Sequence, residues 1–137
     1  MLLVARNDQS RCRALPGTRI TAVTLLTSID QRALEILTLP NDVAGLVSSW
    51  ASTAVAAGSR AIVASPHEVA TLRKTLSAGI TLITPGIRNS SYKRRSERVM
   101  TPTEAITAGA DLLVIGRPIT GAANPGDAAR TIFESLH

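Results

Sequence analysis

The feature that most constrains this chain is a device that recurs along it: a short apolar run rich in β-branched residues, followed by a helix-starting cap. Thr21-Ala-Val-Thr-Leu-Leu-Thr27 precedes Ser28-Ile-Asp-Gln31, and Ala61-Ile-Val-Ala64 precedes Ser65-Pro-His-Glu68. Ile80-Thr-Leu-Ile-Thr84 reaches Thr101-Pro-Thr-Glu104 after a longer loop. In each cap a hydroxyl can accept from an N–H of the first helical turn, while Gln or Glu three residues on reaches back. Two of the three also carry proline at the first helical position, where its missing N–H costs nothing. A fourth run, Leu112-Leu-Val-Ile115, enters Gly116-Arg117-Pro118, and a last helix is expected from about Asn124-Pro125 to the C-terminus. Continuous apolar runs of this length suit parallel strands covered on both faces. Val69, Leu72 and Leu76 keep helical spacing, as do Val43, Leu46, Val47, Trp50 and Val55. Gly58, Gly79 and Gly109 stand where helices should stop. The expected fold is α/β: four strand–helix units in a row after a short helical N-terminal segment, without an internal linker.

Four such units make either a small open sheet or part of a closed barrel. In both, the carboxyl ends of the strands gather on one face, where α/β proteins bind ligands. A complete eight-stranded barrel takes about 250 residues, so 137 residues correspond to half of one. Composition removes other classes. With 45% apolar residues the chain can bury a core. No apolar run approaches the roughly 20 residues of a membrane-spanning helix, so no membrane partner is expected. The apolar start before Arg6 and Asp8 is too short for a signal-peptide core. A single cysteine, Cys12, excludes a disulfide framework and a cysteine metal site, and fits a reducing, cytoplasmic setting.

The formal net charge of +5 is concentrated. Residues 88–100 hold Arg88, Lys93, Arg94, Arg95 and Arg98 against Glu97 alone, so one loop carries a net +4. Proteins that bind single-stranded nucleic acid interleave such charge with stacking aromatics. Here only Tyr92 lies near the cluster, Trp50 and Phe133 being far along the chain. A compact anion site is expected rather than a nucleic-acid footprint. RNA binding through Arg94 and Arg95 is the weaker alternative, marked by affinity that falls steeply with salt. The last two strand-end loops carry the chemistry. Thr84-Pro-Gly-Ile-Arg88 and Gly116-Arg117-Pro-Ile-Thr120 each combine a glycine, which lets the backbone turn or an anion approach, with an arginine able to fork onto phosphate. In barrels a phosphate often sits between the last two such loops.

Val23-Thr-Leu-Leu-Thr-Ser28, Leu82-Ile-Thr-Pro-Gly-Ile-Arg88, Arg98-Val-Met-Thr-Pro102 and Gly109-Ala-Asp-Leu-Leu-Val-Ile-Gly-Arg-Pro-Ile-Thr120 closely resemble, in order, the C-terminal half of orotidine 5'-phosphate decarboxylase. The resemblance runs from about residue 1 to the end. It implies a partial TIM (β/α)8 barrel, with residues 1–137 forming one incomplete domain that corresponds to strands 5–8. It implies a carboxy-lyase that converts orotidine 5'-phosphate to UMP and CO2 in pyrimidine biosynthesis, without metal or organic cofactor, and a homodimer for the complete enzyme. Carried over by motif, Arg88, Gly116 and Arg117 would hold the substrate phosphate, and Thr27 and Ser28 would lie at the pyrimidine end. The family usually has a glutamine in the mobile loop ahead of Arg-Val-Met-Thr-Pro; here Lys93-Arg-Arg-Ser-Glu-Arg-Val puts Ser96 there. The family's catalytic Asp-x-Lys-x-x-Asp is missing. Only Lys74 and Lys93 occur, the first between Leu72 and Ser77, the second between Ser91 and Ser96. The expectation is a substrate grip without the decarboxylating groups, so no catalytic residue is assigned and the isolated chain is expected to be inactive. A non-catalytic half barrel that binds a nucleoside monophosphate, or a phosphate-binding partner subunit, is the alternative. A half barrel also has two open edges and exposes apolar layers, so self-association or pairing with another half is expected.

Overall fold

The computed structural model describes residues 20–26, 29, 31–88 and 100–136. The expected N-terminal helix, Cys12, the cap at Ser28 and the basic run 93–98 lie outside the described residues. Within them, strands and helices alternate: β1 (Thr21–Val23), α1 (Gln31–Ile36), α2 (Val43–Ala56), β2 (Ala61–Val63), α3 (Pro66–Thr75), β3 (Thr81–Pro85), α4 (Pro102–Thr107), β4 (Leu112–Val114), α5 (Arg117–Thr120) and α6 (Pro125–Glu134).

The caps explain most helix starts. At α4 the full reciprocal box forms: the Glu104 amide donates to Thr101 Oγ1 at 3.2 Å, and the Thr101 amide donates to Glu104 Oε2 at 2.8 Å. At α3 the Ser65 hydroxyl accepts from the His67 amide at 3.4 Å, and the Glu68 amide turns to the Ser65 carbonyl at 3.0 Å. Asn124 Oδ1 caps α6 by accepting from the amides of Gly126 and Asp127. Three expectations are corrected. The first apolar run pairs only as far as Val23: the Thr24 amide and hydroxyl both donate to the Val63 carbonyl, closing the last step of the ladder, and the chain then bends at Leu25. Two helices rather than one follow β1: Thr38 takes a left-handed φ of 54°, and Asp42 starts a new helix by accepting from the Gly45 amide at 2.9 Å. Gly79 does not stop α3, which ends at Thr75 when Leu76 turns extended. Gly58 and Gly109 do act as stops, with φ of 97° and 107°.

The four strands are parallel in the order β1-β2-β3-β4. Ala22, Ile62 and Leu82 lie side by side across the first three strands, and Ile83 pairs with Leu112 and Pro85 with Val114 across the last two. Side chains alternate between faces, so Ala22, Ile62, Leu82 and Leu113 share one face. There they join the main core with Leu34 of α1, Val47 and Ala51 of α2, and Val69 and Leu72 of α3. The other face carries Val23, Leu112 and Val114, each more than half exposed. Among the described residues β1 and β4 each pair on one side only. The sheet is therefore a partial barrel: helices cover its outside, and among the described residues nothing covers its inward, apolar face. No helix among the described residues is long and apolar enough to cross a membrane.

One core position is at odds with its chemistry. Thr84, on the helix-covered face of β3, is fully buried, and its hydroxyl finds no hydrogen-bond partner among the described residues. A buried hydroxyl without a partner costs about 1–3 kcal/mol. Replacing it with a methyl of nearly the same shape removes that cost. Thr84→Val is expected to raise the thermal midpoint in a calorimetric melt, whereas Leu72→Ala, which empties a fully buried site, should lower stability by about 2–5 kcal/mol.

Candidate functional site at the carboxyl ends of the last two strands

The site is assembled by the way two strands end. β3 leaves the sheet through Gly86, whose φ of 81° lies in the left-handed region, costly for any residue with a Cβ. Ile87 then plunges into the core, buried to 2% exposure. With Ile87 fixed, Arg88 is delivered half-buried to the rim, where its backbone amide donates to the Met100 carbonyl at 3.1 Å. That bond ties together the two described ends of the basic loop. It is followed at once by the Thr101 cap and the buried Pro102.

β4 ends differently. Past Ile115, Gly116 begins a single helical turn, α5, its carbonyl accepting from the amides of Ile119 and Thr120 at 2.9 and 3.0 Å. The sequence pattern suggested a loop here; the structure forms a short helix because Pro118 is fixed in a helical φ and Gly121 closes the turn with an amide bond to the Arg117 carbonyl at 3.0 Å. Arg117 is the first residue of that turn and is exposed.

Arg88, Arg117, Pro118 and Gly121 line one cleft of about 210 Å³. Complete small-molecule sites run to about 300–1,000 Å³, so the described residues enclose one end of a ligand rather than all of it. Among the described residues neither guanidinium pairs with a carboxylate; the ion pairs are Arg73–Asp111 and the exposed Arg130–Asp127. Two arginines at one cleft with no carboxylate partner among the described residues make a candidate site for an anion, and their planar forks suit the oxygens of a phosphate. A Cβ built on Gly116 meets nothing within 4 Å, so its missing side chain keeps open space beside Arg117 rather than avoiding a clash.

Of the residues marked from sequence, Arg88 and Arg117 meet at this cleft and Gly116 starts the turn that carries Arg117. Thr27, Ser28 and Ser96 lie outside the described residues. Pro118 and Gly121 were missed as lining residues. Gly121 could have been found from its place one turn after Gly116-Arg117, where a Cβ would stand 3.0 Å from the Arg117 carbonyl. His67 is exposed in the first turn of α3 and takes no part.

These observations define a class: a parallel α/β unit with an anion cleft between its last two strand-end loops. Comparison with known proteins makes it specific. Residues 5–132 match the sequence model of the orotidine 5'-phosphate decarboxylase / HUMPS family, and the chain belongs to that family. It is 48% identical over 124 residues to orotidine 5'-phosphate decarboxylase of Thermobifida fusca, covering 90% of this chain and 53% of that protein. It is 44% identical over 122 residues to the enzyme of Anaeromyxobacter sp. strain K, covering 88% and 54%. Among solved structures it is similar to orotidine 5'-phosphate decarboxylase from Lactobacillus acidophilus, with a TM-score of 0.73 and 33% identity over 87% of this chain and 49% of that one. The chain thus spans about half the length of the curated relatives it matches.

The two glycines separate stability from binding. Gly86→Ala is expected to destabilise the chain by about 1–2 kcal/mol, the cost of a left-handed Cβ, measurable as a lower urea midpoint. Gly116→Ala should leave that midpoint unchanged and weaken phosphate binding in a calorimetric titration.

Proposed function

We propose that this chain is the phosphate-holding, C-terminal half of an orotidine 5'-phosphate decarboxylase barrel, with β1–β4 standing as its strands 5–8. The observation that carries the reading is the convergence of Arg88 and Arg117 on one cleft at the carboxyl ends of β3 and β4. The substrate's 5'-phosphate is the anion for this cleft, its oxygens shared between the two forks, with the open side of Gly116 admitting close approach. By the resemblance, Thr27 and Ser28 would lie at the pyrimidine end, and Ser96 stands at the position where the family carries its loop glutamine.

The chemistry of the reaction then falls to the other half. By analogy with the family, an Asp-x-Lys-x-x-Asp set presses a carboxylate against the substrate's carboxylate. The bond to CO2 breaks, its electron pair stays on the ring carbon, and the lysine delivers a proton there to give UMP. No residue of this chain takes that role. The chain's contribution is to anchor a part of the substrate that does not react, and such remote binding energy can offset the cost of crowding at the reacting carbon. The complete assembly is a homodimer acting in the cytoplasm on a free nucleotide, with no cofactor, nucleic acid or membrane.

Two measurements test this. Titrating the chain with UMP should show saturable binding, and Arg117→Ala should weaken it by about 10-fold or more, as expected for losing a charge-assisted hydrogen bond worth about 1.5–3 kcal/mol. The chain alone should release no CO2 from orotidine 5'-phosphate. Release should begin when it is refolded with the remaining half of the Thermobifida fusca relative. Turnover by the chain alone, or UMP binding indifferent to Arg117, would overturn the reading.

A further inference from the structure

The anion cleft depends on how β3 and β4 are set against each other, and the apolar pattern does not set it. Strand register is usually fixed because one face is apolar and the other polar. The β4 run Leu112-Leu-Val-Ile115 is apolar on both faces, and only three residue pairs join β3 to β4. A slip of two residues would keep every side chain on its face while shifting one arginine past the other by about 7 Å, at about 3.3 Å per residue. That exceeds what two forks on one phosphate can absorb, given hydrogen bonds of about 2.7–3.2 Å.

A polar latch at the opposite end of the strands supplies the missing specification. Both backbone groups of Leu82 face β4, and both go to Asp111: its amide donates to the Leu82 carbonyl at 3.0 Å, and its Oδ2 accepts from the Leu82 amide at 2.7 Å. The side chain stands where a strand carbonyl would, extending the ladder by one step that only this register satisfies. Arg73 of α3 holds the same carboxylate oxygen at 2.5 Å. Its other donors reach the Gly109 carbonyl at 2.7 and 3.1 Å and the Ile80 carbonyl at 3.1 Å. Gly109 lets it lie there, since a Cβ would stand 3.2 Å from Arg73 Cγ. Arg88 lies six residues beyond Leu82, and Arg117 six beyond Asp111, so the latch measures out equal lengths of chain to the two guanidinium groups.

We propose that Asp111, held by Arg73, is a positioning residue for the anion cleft: it fixes the β3–β4 register that brings Arg88 and Arg117 to one phosphate. The inference rests on the phosphate reading above for its binding arm, and on the strand geometry alone for its second arm. In the binding arm, the chain and its Asp111→Ala, Asp111→Asn and Leu34→Ala variants are titrated with inorganic phosphate and followed by amide NMR shifts. Asp111→Ala should bind at least about fivefold more weakly, the lower end of typical coupling between sites. Asp111→Asn, which keeps an oxygen for the Leu82 amide, should restore affinity. Leu34→Ala, which loosens the core far from the latch, should bind phosphate as the unaltered chain does. Should Asp111→Ala fail to fold, Asp111→Glu takes its place, keeping the charge for Arg73 but displacing the oxygens from Leu82.

The second arm reads register directly, through cross-strand NMR contacts between β3 and β4. Contacts from a second register in Asp111→Ala support the proposal even when the unaltered chain binds no phosphate, a result that would sink only the phosphate reading. Unchanged Ile83–Leu112 and Pro85–Val114 contacts in Asp111→Ala overturn it. So does a loss of affinity in Leu34→Ala equal to that in Asp111→Ala.

Discussion

The pairing of β3 with β4 is the interaction on which the rest of this structure depends. It sets two strand ends side by side, and each end then makes its own short excursion: one through the left-handed Gly86 and the buried Ile87, the other through the single turn that Gly116 opens. Because both excursions are only a few residues long and each is tied down, the arginines they carry have little freedom to go elsewhere. Two cations brought to one cleft repel each other, and an anion between them relieves that repulsion. The two strand ends thus fix the backbone at both arginines, while the exposed Arg117 side chain keeps its own freedom.

The same sheet has two unequal faces. Helices α1–α4 bury one face with closely packed aliphatic side chains, Ile62 and Leu82 among them wholly enclosed. The other presents Val23, Leu112 and Val114 at more than half exposure, the composition of a surface meant to be covered. In a closed barrel this face is interior, filled by layers of branched side chains from neighbouring strands. The division of labour follows from that geometry. The helix-covered face provides the core, the strand ends carry the arginine-lined cleft, and the opposite face is left apolar and exposed among the described residues.

Local features were readable from the amino-acid order because they depend on neighbours in the chain. The Thr101/Glu104 box, the Asn124 and Ser65 caps and the turn at Gly86 all form where the residue pattern places them. Local pattern does not mark where an element ends or which distant residue a side chain meets. The run after Val23 reads as strand, yet the ladder closes at the Val63 carbonyl and the chain bends at Leu25. Gly79 reads as a helix stop, yet α3 has already ended. Asp111 meets Leu82 and Arg73, 29 and 38 positions away, and such partners cannot be seen from its neighbours in the chain.

By itself the sequence determined four strands and their caps, an α/β class and two glycine–arginine loops, and through those motifs a family. Each of these is encoded within a few consecutive residues, where hydrogen-bond reach and side-chain alternation leave little choice. Only the tertiary structure decided which face of the sheet is covered, that Pro118 and Gly121 complete the cleft, and which register joins the last two strands. That register rests on a contact between residues 29 positions apart, in a strand whose apolar residues favour no alignment over another.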